Sequence, residues 1–238
     1  HTHKIEGILN GIDYDVFNPK TDKTLKKNYD IKSIKNKEEN KKAILKEFGL
    51  EYKKDRPLIA LISRLVDQKG LDLIRQVEND LMGMDADFIF LGSGDKAYED
   101  MFIWLSNNTS NIRTYVGYRG DLANLIYAGS DFFLMPSKFE PCGLGQMIAM
   151  RYGTLPLVRE TGGLKDSVIP YNQYTGEGTG FSFTNFNAHE LKEVMFVAVN
   201  TYNNDKAAWD KLVTQAMEKD YSWSSSARKY LELYKKIV

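Results

Sequence analysis

The feature that most restricts the fold is a regular alternation of short apolar runs with helical patterns. Residues 57–62 are apolar at every position, which is typical of a strand buried on both faces. Further strand-like runs lie at residues 87–91, 112–116, 131–135, 154–158 and 180–183. Helical patterns lie near residues 37–48, 69–81, 95–106, 120–128, 143–152, 163–168, 188–202, 205–219 and 222–236. This alternation predicts right-handed crossovers and a parallel sheet.

The predicted fold class is therefore α/β, with one Rossmann-like, doubly wound parallel sheet of about six strands and helices on both faces. If the strand order is 3-2-1-4-5-6, the direction of winding reverses between the first and fourth strands. Ligands of such sheets bind outside the carboxyl ends of the strands at that reversal. The segments that leave these two strands begin at Ser63 and Pro136, and both carry charged residues. We expect the functional site at this edge.

Charge and cysteine content exclude several classes of protein. The 238 residues include 32 basic and 32 acidic side chains, which argues against a nucleic-acid binder with a basic surface. Cys142 is the single cysteine, so an internal disulfide framework is excluded and a reducing compartment fits. No apolar run reaches the roughly 20 residues of a membrane span, and no secretory signal is recognised. We expect a cytoplasmic protein that binds neither membrane nor nucleic acid.

The chain divides into three predicted regions. Residues 1–36 are polar and are expected to bury little, either as a connector from a preceding domain or as a ragged arm. Residues 37–221 form the Rossmann-like domain. Residues 222–238 form a last helix, which either packs on this domain or reaches back toward a missing domain. Because the chain begins with His1 and not with Met, we expect a fragment of a longer protein.

Two cations follow the first strand. Arg64 and Lys69 lie where the strand ends and a helix begins, which suits a pyrophosphate. An arginine can contact two phosphate oxygens at once, and a lysine adds a point charge. The alternative is a pair of solvated surface cations.

A carboxylate follows the fourth strand. Glu140 is expected to pair with a neighbouring cation or to face a ligand, because an unpaired buried charge is costly. In a sugar site it could accept hydrogen bonds from hydroxyl groups or stabilise positive charge in a transition state. Cys142 is interpreted as lining a pocket. The histidines His1, His3 and His189 look peripheral, so a histidine-based triad or metal site is not expected.

Glycine-containing turns follow the second and fifth strands. Gly94 belongs to a Gly-x-Gly turn that lacks the full dinucleotide fingerprint, so a nicotinamide-dependent oxidoreductase is disfavoured. We interpret it as a plain turn beside a nucleotide. Thr161 is a predicted helix N-cap, and the N–H groups of Gly162 and Gly163 could bind phosphate. The alternative is a loop that only reverses the chain.

Tyr118 follows the third strand at the same edge of the predicted sheet. An exposed tyrosine there could stack on a nucleotide base. The alternative is a half-buried packing residue.

Five segments together resemble one family. They are Gly7–Asp13, Ser63–Leu73, Pro136–Leu144, Thr161–Leu164 and Tyr221–Trp223. They resemble the C-terminal half of the glycogen and starch synthases, which are retaining, ADP-glucose-dependent glucosyltransferases. The Glu-Pro-Cys-Gly-Leu segment is the most specific, since related transferases usually carry Glu-Gly-Phe-Gly there.

This resemblance implies a GT-B architecture, in which two Rossmann-like domains face each other, with this chain as the donor-binding half. The substrate would be ADP-glucose, the product ADP, and no cofactor or metal would be needed. Glucose would be transferred with retention to the non-reducing end of an α-1,4-glucan held by the missing N-terminal domain. The implied catalytic residues are Arg64, Lys69 and Glu140. The implied donor-binding residues are Ser63, Arg64, Lys69, Gly94, Tyr118, Glu140, Cys142, Gly143, Leu144, Thr161, Gly162 and Gly163.

The sequence departs from the family pattern in two ways. Many retaining relatives carry a second glutamate eight positions after the first, where this chain has Ile148. The acceptor-side Lys-x-Gly-Gly-Leu motif is absent. We therefore expect the isolated fragment to transfer no glucose. Two other functions stay open: a transferase for another sugar nucleotide, and a non-catalytic nucleotide-binding or regulatory module.

Overall fold

The computed structural model describes residues 5–237, so the predictions for His1 and His3 lie outside the described residues. The strands are β1 (Leu58–Ile62), β2 (Asp87–Gly92), β3 (Ile112–Val116), β4 (Phe132–Met135), β5 (Leu155–Arg159) and β6 (Phe181–Phe183). They form one parallel sheet in the order β3-β2-β1-β4-β5-β6. The predicted fold class and strand order are confirmed.

The helices lie close to the predicted positions. They are α1 (Lys37–Glu47), α2 (Leu71–Gln76), α3 (Glu78–Gly83), α4 (Lys96–Asn108), α5 (Gly120–Gly129), α6 (Gly145–Arg151), α7 (Gly162–Ser167), α8 (Ala188–Asn204), α9 (Lys206–Met217) and α10 (Trp223–Ile237). Short 3-10 helices cover Ile31–Asn36 and Asp67–Lys69. None of the helices within residues 5–237 is long and apolar enough to cross a membrane.

The single helix predicted over residues 69–81 is wrong, because the helical backbone is interrupted at Gly70 and again at Val77, between α2 and α3. Gly70 has a left-handed backbone with φ of 70°, which ends the 3-10 helix and begins α2. A Cβ atom on Gly70 would lie 2.0 Å from the carbonyl oxygen of Pro136. Only glycine therefore allows the loop after β1 to pack against the loop after β4.

Apolar side chains of the sheet pack on both faces. Along β1, Ile59 and Leu61 belong to the larger core, whereas Leu58 and Ala60 belong to a smaller core under α1 and α5. This arrangement explains why residues 57–62 are apolar at successive positions, since each face of a doubly wound sheet is covered by helices. The prediction of helices on both faces is confirmed.

The expectation that residues 1–36 bury little is wrong for the described part. Ile12 and Tyr29 are each only 2% exposed and belong to the larger core. The Tyr29 hydroxyl donates to the carbonyl oxygen of Tyr152 at 2.7 Å, and the Tyr152 hydroxyl donates to Asp22 at 2.6 Å. These anchors are single residues in a polar segment, so no hydrophobic period marked them in the sequence.

A buried lysine ties α1 to the amino-terminal edge of the sheet. The Lys37 ammonium lies 2.7–3.2 Å from the carbonyl oxygens of Tyr127, Ala128 and Tyr152 and from the hydroxyl of Thr154. Burial lowers the pKa of Lys37 to about 7. Because backbone carbonyls at a buried site need donors, this single side chain stabilises the ends of α5 and α6.

Lys37→Met should destabilise the chain by about 2–4 kcal/mol, since it leaves buried acceptors without a donor. Urea unfolding followed by circular dichroism measures the loss. Lys46→Met, an exposed change on the same helix, is the matched control and should stay within about 0.5 kcal/mol of wild type. Equal effects of the two changes would contradict the assigned role.

The lowered pKa of Lys37 also predicts that the free energy of unfolding rises with pH. Above pH 7 the unfolded chain keeps a proton on Lys37 that the folded chain has released, so raising the pH favours the folded chain. Between pH 8 and 9.5 this group should add up to about 1.4 kcal/mol of stability per pH unit. The gap between wild type and Lys37→Met should therefore widen over this range; a constant gap would contradict the lowered pKa.

Candidate functional site

A cavity of about 260 Å³ lies at the carboxyl ends of β1 and β4, where the winding of the sheet reverses. It lies at the edge that the sequence predicted. The lining residues are Leu61, Ile62, Ser63, Arg64, Lys69, Tyr127, Leu134, Met135, Pro136, Ser137, Glu140, Gly143, Leu144, Gly145 and Ile148. Six of the predicted site residues are thus brought together: Ser63, Arg64, Lys69, Glu140, Gly143 and Leu144.

The loops after β1 and β4 run side by side and are joined at three successive positions, residues 67–69 and 138–140. The backbone N–H of Lys138 donates to the carbonyl oxygen of Gln68 at 2.9 Å. On either side of this bond the side chains of Lys138 and Asp67 form an exposed ion pair, and those of Lys69 and Glu140 form a buried one. The two charged loops are therefore one structural unit.

The buried ion pair between Lys69 and Glu140 lines the cavity. The Lys69 ammonium donates to a carboxylate oxygen of Glu140 at 2.6 Å, and the side chains are 17% and 10% exposed. The Ser137 hydroxyl donates to the same oxygen at 3.3 Å. Of the two fates predicted for Glu140, pairing with a cation is the one observed. Contact of Glu140 with a ligand stays a prediction.

The electrostatics of the cavity favour an anion. Within the described part of the chain, the charged side chains that line it are two cations, Arg64 and Lys69, and one carboxylate, Glu140, a net charge of +1. Lys69 and Glu140 neutralise each other, and Arg64 stands exposed at the rim. An anionic group in the cavity could accept hydrogen bonds from the Arg64 guanidinium and from the N–H groups of Lys69 that do not bond to Glu140.

The glycine loop before α7 packs against the Glu140 segment. The Gly163 N–H donates to the carbonyl oxygen of Glu140 at 3.0 Å. A Cβ on Gly163 would lie 2.0 Å from the carbonyl oxygen of Cys142, and one on Gly162 would lie 2.2 Å from that of Glu140. The Gly163 amide is thus engaged within the protein, which corrects the prediction that it is exposed for phosphate.

Thr161 takes the predicted N-cap position of α7 with extended backbone, but its side chain makes no capping hydrogen bond. The Gly163 amide, from which a capping side chain could accept, donates to the carbonyl oxygen of Glu140 instead. Gly162 is exposed, with φ of 47°. Phosphate binding by this loop stays a prediction.

The remaining predicted site residues lie outside the cavity lining. Gly94 forms an isolated bridge with Leu65, and a Cβ there would lie 2.4 Å from the Leu65 carbonyl oxygen, so this turn supports the segment that carries Arg64. Tyr118 is 87% exposed, so the alternative of a half-buried packing residue is wrong. Cys142 is half-buried. Ligand contacts of these residues stay predictions.

Several lining residues were missed by the sequence analysis. Tyr127 comes from α5, and no local pattern shows which of its inward residues reaches the cavity. Ser137 could have been found from its position between strand and glutamate. Ile148, noted only as a departure from the family pattern, lines the cavity. An isoleucine there adds an apolar surface and no second carboxylate to the cavity lining.

The described residues contain no group of three or more His, Cys, Asp or Glu side chains that could hold a metal ion. His189 is exposed at the start of α8. The expectation that no metal or cofactor is needed stays a prediction.

The sequence of this chain matches a known family of transferases. Residues 42–215 match the profile of the family described as Glycosyl transferases group 1. The chain therefore belongs to the group 1 glycosyl transferases. It is 56% identical over 236 residues to the glycogen synthase of Acholeplasma laidlawii, covering 98% of this chain and 49% of that protein.

Two further relatives are also glycogen or starch synthases. The glycogen synthase of Bacillus cereus (strain B4264) is 52% identical over 239 residues, covering 100% of this chain and 50% of that protein. The catalytic domain of starch synthase IV from Arabidopsis thaliana, solved bound to ADP and acarbose, superposes with a TM-score of 0.91 at 41% identity, covering 99% of this chain and 49% of that one. The resemblance to glycogen and starch synthases is confirmed. The chain spans about half the length of these relatives.

The buried Lys69–Glu140 pair gives a stability prediction. Removing either partner alone, with Lys69→Met or Glu140→Gln, should cost about 2–4 kcal/mol, because the remaining charge is left buried. The double variant should cost less than the sum. A double-mutant cycle in urea should therefore give a coupling energy of about 1–3 kcal/mol.

The exposed Lys138–Asp67 pair is the matched control. It joins the same two loops at the same sequence separation, with side chains 49% and 61% exposed. Its coupling energy should be below about 1 kcal/mol. Equal coupling energies for the two pairs would show that burial does not distinguish Lys69–Glu140.

Proposed function

We propose that this chain is the donor-binding half of a retaining glucosyltransferase that transfers glucose from ADP-glucose to the non-reducing end of an α-1,4-glucan. The observation that carries the proposal is the cavity at the β1–β4 edge, where Arg64 stands beside the buried Lys69–Glu140 pair. The strong similarity to glycogen synthases supports the substrate class. The ADP bound to the starch synthase neighbour supports adenine as the base.

The proposed chemistry follows from the charges. In the transfer, the bond between the glucose C1 and the ADP oxygen breaks, an acceptor hydroxyl oxygen bonds to C1 and loses its proton, and ADP leaves. Negative charge grows on the diphosphate as the bond breaks. Arg64 and Lys69 would stabilise that charge, each by about 1.5–3 kcal/mol. The carboxylate of Glu140 would accept hydrogen bonds from glucosyl hydroxyls.

The proposal makes this chain part of a two-domain enzyme of the cytoplasm. ADP-glucose is the substrate, ADP the product, and no cofactor is required. A facing domain would hold the glucan, residues 1–36 would form the connection to it, and residues 222–238 would pack toward it. The isolated chain would then lack half of the cleft and would transfer no glucose.

In the full-length protein, Arg64→Ala and Lys69→Ala should each lower kcat for glucan elongation from ADP-glucose by about 10- to 100-fold, because each removes a contact that strengthens as ADP leaves. Radiolabelled glucose incorporation into glycogen measures the rate. Lys96→Ala, a surface change at a side chain 78% exposed, is the control and should keep the wild-type rate.

Three outcomes would contradict the proposal. A loss of less than about twofold in both variants would remove these cations from the site. Robust transfer by the 238-residue chain alone would contradict its role as half of a site. A wild-type preference for UDP-glucose over ADP-glucose would indicate a transferase for another sugar nucleotide.

Tyr118 gives a separate test of base recognition. If its exposed ring stacks on adenine, Tyr118→Ala should raise KM for ADP-glucose by about 5- to 50-fold and leave kcat nearly unchanged. Tyr174→Ala is the matched control, since Tyr174 is 89% exposed in a loop away from the cavity. Indistinguishable KM values for the two variants would assign the base to another residue.

A further inference from the structure

One buried amide joins the loop after β4 to α7, the helix that follows the glycine loop. Gln146, in the first turn of α6, is fully buried. Its Nε2 lies 3.1 Å from the carbonyl oxygen of Cys142 and 3.0 Å from that of Gly143. It also lies 3.0 Å from the hydroxyl oxygen of Ser167, at the end of α7. A single side chain thus holds the Cys142–Gly143 backbone and reaches the helix that carries the glycine loop.

Ser167 extends this connection back to the glycine loop. It is 2% exposed, and its hydroxyl donates to the carbonyl oxygen of Gly163 at 2.6 Å. The Gly163 N–H donates in turn to the carbonyl oxygen of Glu140. The backbone at Glu140 and just after it, at Cys142 and Gly143, is therefore held by hydrogen bonds that run through Gln146 and Ser167.

A third side chain ties this cluster to the last part of the chain. The Tyr221 hydroxyl donates to the carbonyl oxygen of Ser167. Burial raises the pKa of Tyr221 to about 12, so the hydroxyl keeps its proton at neutral pH. The Tyr221 carbonyl accepts from the N–H of Ile12, where the arm and the start of α10 meet. Tyr221 belongs to a motif to which the sequence analysis assigned no role.

The chemistry of Gln146 argues against a role in packing alone. Among the described residues, its Oε1 has no hydrogen-bond partner although it is buried. An apolar side chain of similar size would fill the same space without burying an unpartnered oxygen, but it would leave the carbonyl oxygens of Cys142 and Gly143 without this donor.

We propose that Gln146 and Ser167 are positioning residues that hold the Cys142–Gly143 loop and the glycine loop in register around Glu140, and that Tyr221 anchors them to the arm–α10 junction. Neither Gln146 nor Ser167 needs to touch the substrate. Their effect is on the orientation of the sugar-facing loop, since Arg64 and Lys69 belong to the separate backbone segment that follows β1. This inference rests on the proposed function for its kinetic consequences, but its structural part is independent of it.

The structural part is tested by hydrogen exchange on the 238-residue chain. Gln146→Met keeps the volume and removes the donors, and Ser167→Ala removes the hydroxyl. Each should speed amide exchange in peptides covering residues 140–146 and 161–165, including the Gly163 amide, by about tenfold or more. Gln215→Met is the matched control, since Gln215 donates to the carbonyl oxygen of Gly176 in a loop outside the cavity. It should leave both peptides unchanged.

The kinetic part uses the full-length protein and ADP-glucose. Gln146→Met and Ser167→Ala should lower kcat by about 10- to 100-fold with KM changed less than about threefold, because the phosphate contacts are intact and the sugar loop is misplaced. The double variant should be no worse than Gln146→Met, since the two residues act as one unit. Tyr221→Phe should show a smaller loss of the same kind.

The outcomes separate this inference from the proposed function. If the wild type does not use ADP-glucose, the proposed function fails and the exchange data still decide whether the residues position the loops. If the wild type is active, unchanged exchange in both variants overturns the inference, whatever the rates. Faster exchange with kcat within about twofold of wild type also overturns it, because the loops would then be free to move without effect on transfer.

Discussion

The parallel pairing of β1 with β4 at the centre of the sheet determines where the site lies. Because the chain winds away from this pair in both directions, no crossover helix covers the carboxyl ends of the two strands, and a cavity remains there. The Lys69–Glu140 ion pair spans it and joins the loops that leave the two strands. Gly70 makes this contact geometrically possible, since any side chain there would collide with Pro136. Fold topology, one glycine and one ion pair therefore determine where the charges of the site lie.

Polar groups are buried at both edges of the sheet, with different consequences. At the amino-terminal edge, Lys37 is surrounded by four oxygen acceptors, and its contribution is to stability. At the carboxyl edge, Lys69 has donors beyond its bond to Glu140, and these are available to an anion in the cavity.

Much of the fold and part of the site could be predicted from the sequence. Continuous apolar runs between helical patterns were sufficient for the parallel sheet, the usual order of the fold class was assumed and agrees with the structure, and strand ends located Arg64, Lys69 and Glu140. Three kinds of feature were not predictable, because they depend on distant contacts. The burial of Tyr29 comes from isolated residues in a polar arm, the break at Gly70 comes from the approach of Pro136, and the engagement of the Gly163 amide comes from the carbonyl of Glu140. Gln146 lay inside the helical pattern predicted for residues 143–152, and only the packed structure shows what its amide contacts.

We propose that the β1–β4 cavity holds the diphosphate of an ADP-linked glucose donor. A crystal structure of the full-length protein with ADP bound would test this directly. We expect the diphosphate within hydrogen-bond distance of Arg64 and Lys69, above the carboxyl ends of β1 and β4, with Glu140 directed to the space where glucose would be attached. ADP bound at another edge of the sheet, or with its phosphates away from both cations, would contradict it.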